Sequence, residues 1–174
     1  TGDLAVVGDP TEISMKVLAL KGNIDQSFEK MDEIPFSSDR KMMTVIGKKD
    51  GKIIAYIKGA PDVLMKNASK VILNGEVKSI DVLKDKILEK NEEFAQSALR
   101  VLGVAYKELN LDYDINNVEK DYVYIGLTGI IDPPRDEVIE AIKGARKAGI
   151  RTIMITGDHK ITAIAIGQAI GLIE

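Results

Sequence analysis

The residues of this chain that are best suited to chemistry fall in four short motifs. The motifs read GDPTE at residues 8–12, PFSSDRK at 35–41, KGAPD at 58–62, and DPPR at 132–135 followed by MITGDH at 154–159. They combine lysines, arginines and carboxylates with turns that contain glycine or proline. Residue type and position suggest one chemistry directly, which is anion binding at the turn formed by residues 156–158.

Thr156, Gly157 and Asp158 make the phosphate hypothesis most concrete. They follow an apolar run and precede a predicted helix, which places backbone amides and a hydroxyl at a helix N-terminus. The helix dipole favours an anion there. Asp158 could instead hold a magnesium-bound water or a ribose hydroxyl. The simpler alternative is that Asp158 is an ordinary N-cap of the helix.

Lys58 and Gly59 end an apolar stretch of the sequence. Because Gly59 has no Cβ atom, its backbone can come close to a flat ring. The alternative for Lys58 is a solvated lysine beside a strand. Phe36 is one of 3 phenylalanines and precedes a polar run that ends at Lys41, and its default role is in the core.

The first motif has the pattern of a helix start. Asp9 is suited to cap free amides, Pro10 suits the first helical position, and Glu12 stands three residues after the cap, where it would complete a capping box. Glu12 therefore has a structural role available as well as a binding role.

Three more charged residues also have structural alternatives. Arg100 is expected at the end of a long helix, where it would interact favourably with the helix dipole. Asp132 and Arg135 flank two prolines at a rigid corner between a strand and a helix. There Asp132 would serve as a helix cap and Arg135 as a surface charge.

Periodicity and turn residues predict an α+β fold over residues 1–131, with an antiparallel sheet flanked by helices. Asp50-Gly51 and Asn74-Gly75 each signal a hairpin turn. Strands are expected at 42–46, 53–57, 71–73, 76–79, 101–107 and 122–131, and helices from Asp9 to Gly22, at 61–67 and at 80–98.

A different pattern begins at Asp132. A helix ending near Gly149, an almost wholly apolar strand at 150–155 and a helix after Asp158 form one helix–strand–helix unit of a Rossmann-like fold. One such unit cannot bury its strand on both faces. It is therefore expected to pack on the first domain or on sequence outside the chain, and both chain ends read as cuts into a longer protein.

The composition excludes several classes of function. Hydrophobic residues make up 45% of the 174 residues, which is enough for a core, and the net charge of −3 argues against a nucleic-acid-binding surface. The absence of cysteine and the single histidine, His159, exclude disulfides, thiolate metal sites and multi-histidine centres. No apolar run approaches the ~18 residues of a membrane span, so the chain itself is not expected to cross a membrane.

In their order and spacing, the motifs resemble the cytoplasmic nucleotide-binding region of P-type cation-transporting ATPases, and the resemblance covers nearly the whole chain. It implies an adenine pocket in which Phe36 stacks on the adenine ring and Lys58 lies at the back of the pocket. Glu12 would accept a hydrogen bond from the adenine amino group. Many relatives have Arg where this chain has Ser38, which weakens one expected contact on the phosphate or ribose side.

The resemblance also implies a phosphate end. Lys41 and Arg100 would approach the phosphates, residues 156–158 would lie beside them, and Asp132 and Arg135 would form a hinge on the nucleotide path. The predicted nucleotide-binding residues are Thr11, Glu12, Phe36, Lys41, Lys58, Gly59, Arg100, Asp132, Arg135, Thr156, Gly157 and Asp158.

The same resemblance implies that the chain is the ATP-binding cytoplasmic portion of an ATP-driven cation pump. The forms of GDPTE, KGAPD and DPPR are most similar to those of calcium pumps. Residues 1–131 would be an N-terminally truncated nucleotide-binding domain, and 132–174 part of a haloacid-dehalogenase-like phosphorylation domain. ATP is the implied cofactor, with Mg²⁺ held mainly through the nucleotide. The implied partners are the phosphorylation, actuator and transmembrane domains of the same pump, at the cytoplasmic face of a membrane, and the isolated fragment is expected to be soluble.

Two motifs of that family are absent from the sequence. DKTGT, which carries the phosphorylated aspartate, and the magnesium-binding GDGxND do not occur. Phosphoryl transfer needs an acceptor and metal ligands, so the isolated chain is expected to be catalytically incompetent, with no catalytic residue and no metal site of its own. The alternatives are a fragment of a haloacid-dehalogenase-like phosphatase and a non-catalytic structural or interaction domain.

Overall fold

The computed structural model describes residues 8–24, 27–97, 99–131, 134–156 and 160–173 of the chain, and this part has an α+β fold. The helices are α1 (Pro10–Lys21), α2 (Pro61–Asn67), α3 (Lys84–Gln96), α4 (Asp136–Lys147) and α5 (Lys160–Ala169). The strands are β1 (Glu29–Ser37), β2 (Met42–Lys49), β3 (Lys52–Gly59), β4 (Ala68–Leu73), β5 (Glu76–Ser79), β6 (Arg100–Leu109) and β7 (Tyr122–Ile130). Short 3-10 helices occupy Ile80–Val82 and Ile115–Asn117.

The two predicted hairpins are confirmed. Asp50 and Gly51 join β2 to β3 with φ angles of 52° and 78°, and Asn74 and Gly75 join β4 to β5 with φ angles of 53° and 82°. Two successive residues with positive φ form the tight turn whose twist matches the flanking strands. Asparagine, aspartate and glycine tolerate that conformation best, which is why these turns were predictable from sequence.

The sheet is mixed, and the prediction of an antiparallel sheet was wrong. The strand order is β1-β2-β3-β6-β7-β4-β5, and all neighbours are antiparallel except β4 and β7, which run parallel. Short-range signals predict hairpins, but β4 and β7 are separated in the chain by β5, α3 and β6. The direction of that pairing depends on tertiary packing, for which the sequence carries no local signal.

β1 is the strand that sequence analysis missed. It forms one edge of the sheet beside β2, and most of its residues are exposed. Without a buried face it lacks the alternation of apolar and polar residues by which strands are recognised. Its pairing with β2 is also irregular, because Ile34 pairs with Thr44 while Ser37 pairs with Met42. Two residues, Pro35 and Phe36, thus stand opposite one residue of β2, which is a β-bulge.

The main core lies on one face of the sheet. Met42, Ile57 and Ala105 come from three neighbouring strands and pack with Leu64 and Met65 of α2. Because successive residues of a strand point to opposite faces, Met43, Lys58 and Val104, which pair with one another across the same strands, lie on the other face. The sheet therefore separates the core from the face that carries Lys58.

Two buried tyrosines on β7 differ in hydrogen bonding. The Tyr122 hydroxyl donates to the Leu64 carbonyl over 3.0 Å, whereas the Tyr124 hydroxyl has no partner among the described residues. Burial raises the pKa of both phenols. A net hydrogen bond contributes about 0.5–1.5 kcal/mol, and an unsatisfied buried hydroxyl is destabilising.

Tyr122→Phe is accordingly expected to lower the free energy of unfolding by about 0.5–1.5 kcal/mol, while Tyr124→Phe is expected to leave it unchanged or raise it. Urea unfolding of the two variants and the unmodified chain would measure the difference. Equal destabilisation by both substitutions would contradict the hydrogen-bond assignment.

The last part of the chain contains two of the three predicted elements. α4 and α5 are confirmed, but residues 150–156 have no regular structure, so the predicted strand at 150–155 was wrong. Ile150, Ile153 and Ile155 are 62%, 68% and 93% exposed. A strand needs a hydrogen-bonded neighbour, and the described sheet does not include this segment. None of the helices in the described ranges is long and apolar enough to cross a membrane.

Candidate functional site

A cleft of about 510 Å³ opens beside the N-terminal end of α1. Its walls come from the start of α1, the β1–β2 connection, the end of β3 and the start of β6. Seven residues predicted from the sequence line it: Thr11, Glu12, Phe36, Lys41, Lys58, Gly59 and Arg100. These residues are up to 89 positions apart in sequence, as for the Arg100–Thr11 contact, and the fold brings them to one place.

The sheet positions the two cations on the floor of the cleft. Lys58 pairs with Val104 of β6, and Arg100 lies four residues before Val104 on the same strand. An even spacing along a strand keeps side chains on one face, so Lys58 and Arg100 share the face opposite the core. Arg100 begins β6, which corrects the prediction that it ends a helix, because α3 already ends at Gln96.

The start of α1 forms one rim of the cleft and has the predicted geometry. Pro10 occupies the first helical turn, and the Asp9 carboxylate accepts a hydrogen bond of 2.8 Å from the Thr11 amide. That backbone hydrogen bond holds the pKa of Asp9 below its usual value. Asp9 therefore stays ionised at neutral pH and caps the helix.

Glu12 contacts Lys58 across the cleft. The Lys58 Nζ donates to the Glu12 carboxylate, and the side chain of Lys58 is 19% exposed while that of Glu12 is 55% exposed. Nearby, Arg100 donates to the Thr11 hydroxyl over 3.4 Å. Both contacts tie α1 to the sheet, and they place a carboxylate and two cations around the same opening.

Phe36 lies on the cleft, and the residue is 62% exposed. This corrects the default expectation that a phenylalanine is part of the core. A large apolar side chain that the fold leaves in solvent beside charged groups is available to a ligand. Its position in the β-bulge of β1 is consistent with this role, because bulges redirect side chains and are frequent near binding sites.

Gly59 has a structural reason to be glycine. A Cβ atom at this position would lie 2.5 Å from the Lys41 carbonyl oxygen and 2.7 Å from the Met42 Cβ. Real Cβ atoms do not approach backbone so closely, so any other residue would force β3 away from β2. Gly59 thus allows the end of β3, which carries Lys58, to lie close to Lys41 and the start of β2, in addition to lining the cleft.

The other predicted site residues lie away from the cleft or outside the residues that the structure describes. Arg135 precedes α4 and Thr156 lies in the segment before α5, and neither lines the cleft. Asp132, Gly157 and Asp158 lie outside the described residues. The sequence analysis also missed cleft residues, which are Asp9 as a wall residue, Met43, Ala60, Val101 and Leu102. Met43 could have been found by pairing the two hairpin strands, which sets it opposite Lys58.

The arrangement suits a ligand that is flat and apolar at one end and anionic at the other. Three cations, Lys41, Lys58 and Arg100, face two carboxylates, Asp9 and Glu12, so the cleft carries a positive excess. Its volume falls within the roughly 300–1,000 Å³ of small-molecule sites. Over the described residues, no group of three or more histidines or carboxylates could hold a metal ion.

Comparison with known proteins gives a consistent result over most of the chain. The family model described as P-type ATPase, cytoplasmic domain N, matches residues 1–137. A calcium-transporting ATPase of Listeria monocytogenes is 44% identical over 97% of the chain, and one of Bacillus cereus is 41% identical over 96%. A cation-transporting ATPase of Synechocystis is 38% identical over 98%. The chain spans about a fifth of the length of these relatives.

Proposed function

This chain belongs to the family of P-type ATPase cytoplasmic N domains. We propose that it is part of a cation pump and that its cleft is the MgATP-binding site of that pump. One observation supports the proposal above the others. An exposed aromatic residue, Phe36, lines the same cleft as Lys41 and Arg100, so a surface for a flat base and charges for a phosphate chain occur together.

The adenine end of the proposed site comprises Phe36, Lys58 and Glu12. The exposed ring of Phe36 would stack on the base. Gly59 follows Lys58 directly and also lines the cleft. The Glu12 carboxylate is an acceptor that can take a hydrogen bond from an exocyclic amino group, and it is held by Lys58. A carboxylate acceptor selects for adenine over guanine, because guanine presents a carbonyl where adenine has its amino group.

The phosphate end of the proposed site comprises Lys41 and Arg100. Both are exposed cations that line the cleft. They are suited to hold phosphate oxygens, since charge-assisted hydrogen bonds from lysine and arginine are stronger than hydrogen bonds between neutral groups. Magnesium would accompany the nucleotide, because the described residues offer it no cluster of protein ligands.

For the whole protein we propose the role of a calcium-pump-like transporter, in which this portion presents the nucleotide to a phosphorylatable aspartate elsewhere. Residues 1–131 would form the nucleotide-binding domain and 132–174 part of a haloacid-dehalogenase-like phosphorylation domain. The exposed apolar segment at 150–155 supports this division, because it would need further strands to become part of a parallel sheet. The proposed partners are therefore the remaining domains of the pump at the cytoplasmic face of a membrane.

Calorimetric titration of the chain with MgATP and separately with MgGTP tests the proposal. We expect saturable binding of MgATP and weaker binding of MgGTP. A well-folded sample that binds neither nucleotide would overturn the proposed function. Equal binding of the two would contradict the adenine assignment and favour a phosphatase-like site that recognises phosphate alone.

Lys58→Met is expected to weaken MgATP binding by roughly 3- to 10-fold, because a charged donor is lost and the Glu12 carboxylate is left unpaired near an anionic ligand. Lys52→Met is the matched control. Lys52 is on the same strand, is also paired with a glutamate, Glu108, at 2.9 Å, and is not on the cleft. The same titration measures both variants, and an equal loss of affinity in the two would show that Lys58 acts only through general charge.

A further inference from the structure

We propose that Arg40 and Glu119 are positioning residues that fix the backbone beneath Phe36 and so set the orientation of its ring on the cleft. The inference rests on the proposed function for its consequence in nucleotide binding, but its structural part concerns the chain alone. Neither residue lines the cleft, so each would act through Phe36.

The backbone at Phe36 lacks the usual support of a strand. Pro35 and Phe36 form the bulge opposite Met43, where the pairing of β1 with β2 is interrupted between Ile34 and Ser37. Bulged residues lose hydrogen bonds of the ladder. The ring of Phe36 is also largely exposed, so side-chain packing does little to fix it.

Arg40 makes a hydrogen bond that substitutes for the interrupted ladder. One terminal nitrogen of its guanidinium donates to the Pro35 carbonyl oxygen, which belongs to the peptide group that directly precedes Phe36. The Arg40 backbone amide is turned towards the Ser37 hydroxyl at 3.5 Å, and the Lys41 amide donates to the Ser37 carbonyl over 2.7 Å. The turn that follows Phe36 is thus closed by its own hydrogen bonds, and the Arg40 side chain extends back across it to Pro35.

Glu119 anchors Arg40 from another part of the chain. Its two carboxylate oxygens accept hydrogen bonds of 2.7 and 2.6 Å from the second terminal nitrogen of Arg40. One of these oxygens also accepts a hydrogen bond of 2.8 Å from the Thr44 hydroxyl. The Glu119 side chain is 16% exposed and Thr44 is fully buried. A largely buried carboxylate that accepts three hydrogen bonds from two donor groups has a fixed position, and a guanidinium that donates to two acceptor groups has little freedom.

The network therefore connects the segment before β7 to the bulge of β1. Glu119 lies 79 residues from Arg40, so it joins two distant parts of the sequence. If Arg40 is fixed by Glu119 and the Pro35 peptide is fixed by Arg40, the φ and ψ angles that aim the Phe36 ring are restricted. A preorganised ring binds more tightly because less freedom is lost on binding.

The orientation of the ring can be followed with a tryptophan at position 36. The chain contains no tryptophan, so Phe36→Trp gives a single indole in the place of the ring. We expect time-resolved anisotropy to show restricted motion of this indole. Adding Glu119→Gln or, as a second variant, Arg40→Met is expected to increase the amplitude of fast local motion about 2-fold while the far-UV circular dichroism stays unchanged.

Glu108→Gln is the matched control for Glu119→Gln. Glu108 also pairs with a cation, Lys52, but on an exposed part of the sheet away from the bulge. It is expected to leave the local motion of the indole unchanged. If neither Glu119→Gln nor Arg40→Met alters that motion in folded protein, or if the control alters it equally, the proposal is overturned.

A second measurement connects the network to the ligand. Glu119→Gln is expected to weaken MgATP binding by about 3- to 10-fold when Phe36 is present, and by less than 2-fold in a Phe36→Ala background, because coupled residues are not additive. Equal losses in both backgrounds would overturn the claim that Glu119 acts through Phe36. Should the unmodified chain bind no nucleotide, the proposed function would fail, whereas the anisotropy result would still decide the positioning role.

Discussion

Phe36→Ala is expected to weaken MgATP binding to this chain by roughly 5- to 150-fold, the equivalent of the ~1–3 kcal/mol that one base gains from stacking on an aromatic side chain. Phe36 is 62% exposed and lines the cleft, so removal of its ring takes away a binding surface and leaves the core intact. The free energy of unfolding is therefore expected to change by less than about 0.5 kcal/mol. Calorimetric titration measures the affinity, and urea unfolding measures the stability.

Phe28→Ala is the control for a general effect of losing an exposed aromatic residue. Phe28 is 43% exposed and packs against Tyr56, with 5.8 Å between ring centroids, away from the cleft. We expect nearly unchanged affinity for MgATP in this variant. An unchanged affinity in Phe36→Ala, with binding intact in the unmodified chain, would place the base elsewhere and remove the main support for the adenine assignment.

Gly59→Ala is expected to lower the free energy of unfolding by about 1–3 kcal/mol, the usual cost of forcing extra atoms into a packed site. The added Cβ would meet the Lys41 carbonyl oxygen at 2.5 Å and the Met42 backbone at 2.8 Å. Neither atom can move without shifting β2 against β3. The same shift would separate Lys41 from Lys58, so MgATP affinity is expected to fall as well.

Gly126→Ala is the matched control, because Gly126 is also a strand glycine but nothing lies within 4 Å of its added Cβ. There the substitution is expected to leave stability unchanged or raise it by up to about 1 kcal/mol, since alanine restricts the unfolded chain. Urea unfolding of both variants measures the difference. If Gly59→Ala is as stable as Gly126→Ala, the close approach of β2 and β3 is not what requires glycine.

Local features of this protein were readable from sequence because their causes are local. The turns at Asp50-Gly51 and Asn74-Gly75 and the cap at Asp9 depend on the conformational preferences of a few adjacent residues. α4 was predicted from the spacing of its apolar residues. Strand β1 was missed for the complementary reason, since an exposed edge strand has no buried face to impose an apolar pattern.

The candidate site was predictable as a set of residues but not as an arrangement. Seven of the predicted residues line one cleft, yet their roles in binding nucleotide stay predictions until affinity is measured. The exposure of Phe36 and the pairing of Lys58 with Glu12 could not be inferred from spacing, because they depend on how α1 and the bulge of β1 meet the sheet.

The sequence by itself determined the family, the chemistry of the motifs and the local elements, since these follow from residue types at short spacing. The tertiary structure alone decided which strands are neighbours, that β4 and β7 run parallel, and that residues 150–155 do not form a strand among the described residues. It also decided that Glu119 supports Arg40 from 79 residues away. Such contacts join residues that are remote in sequence, and their free energy depends on the packing of the whole sheet, which no short segment encodes.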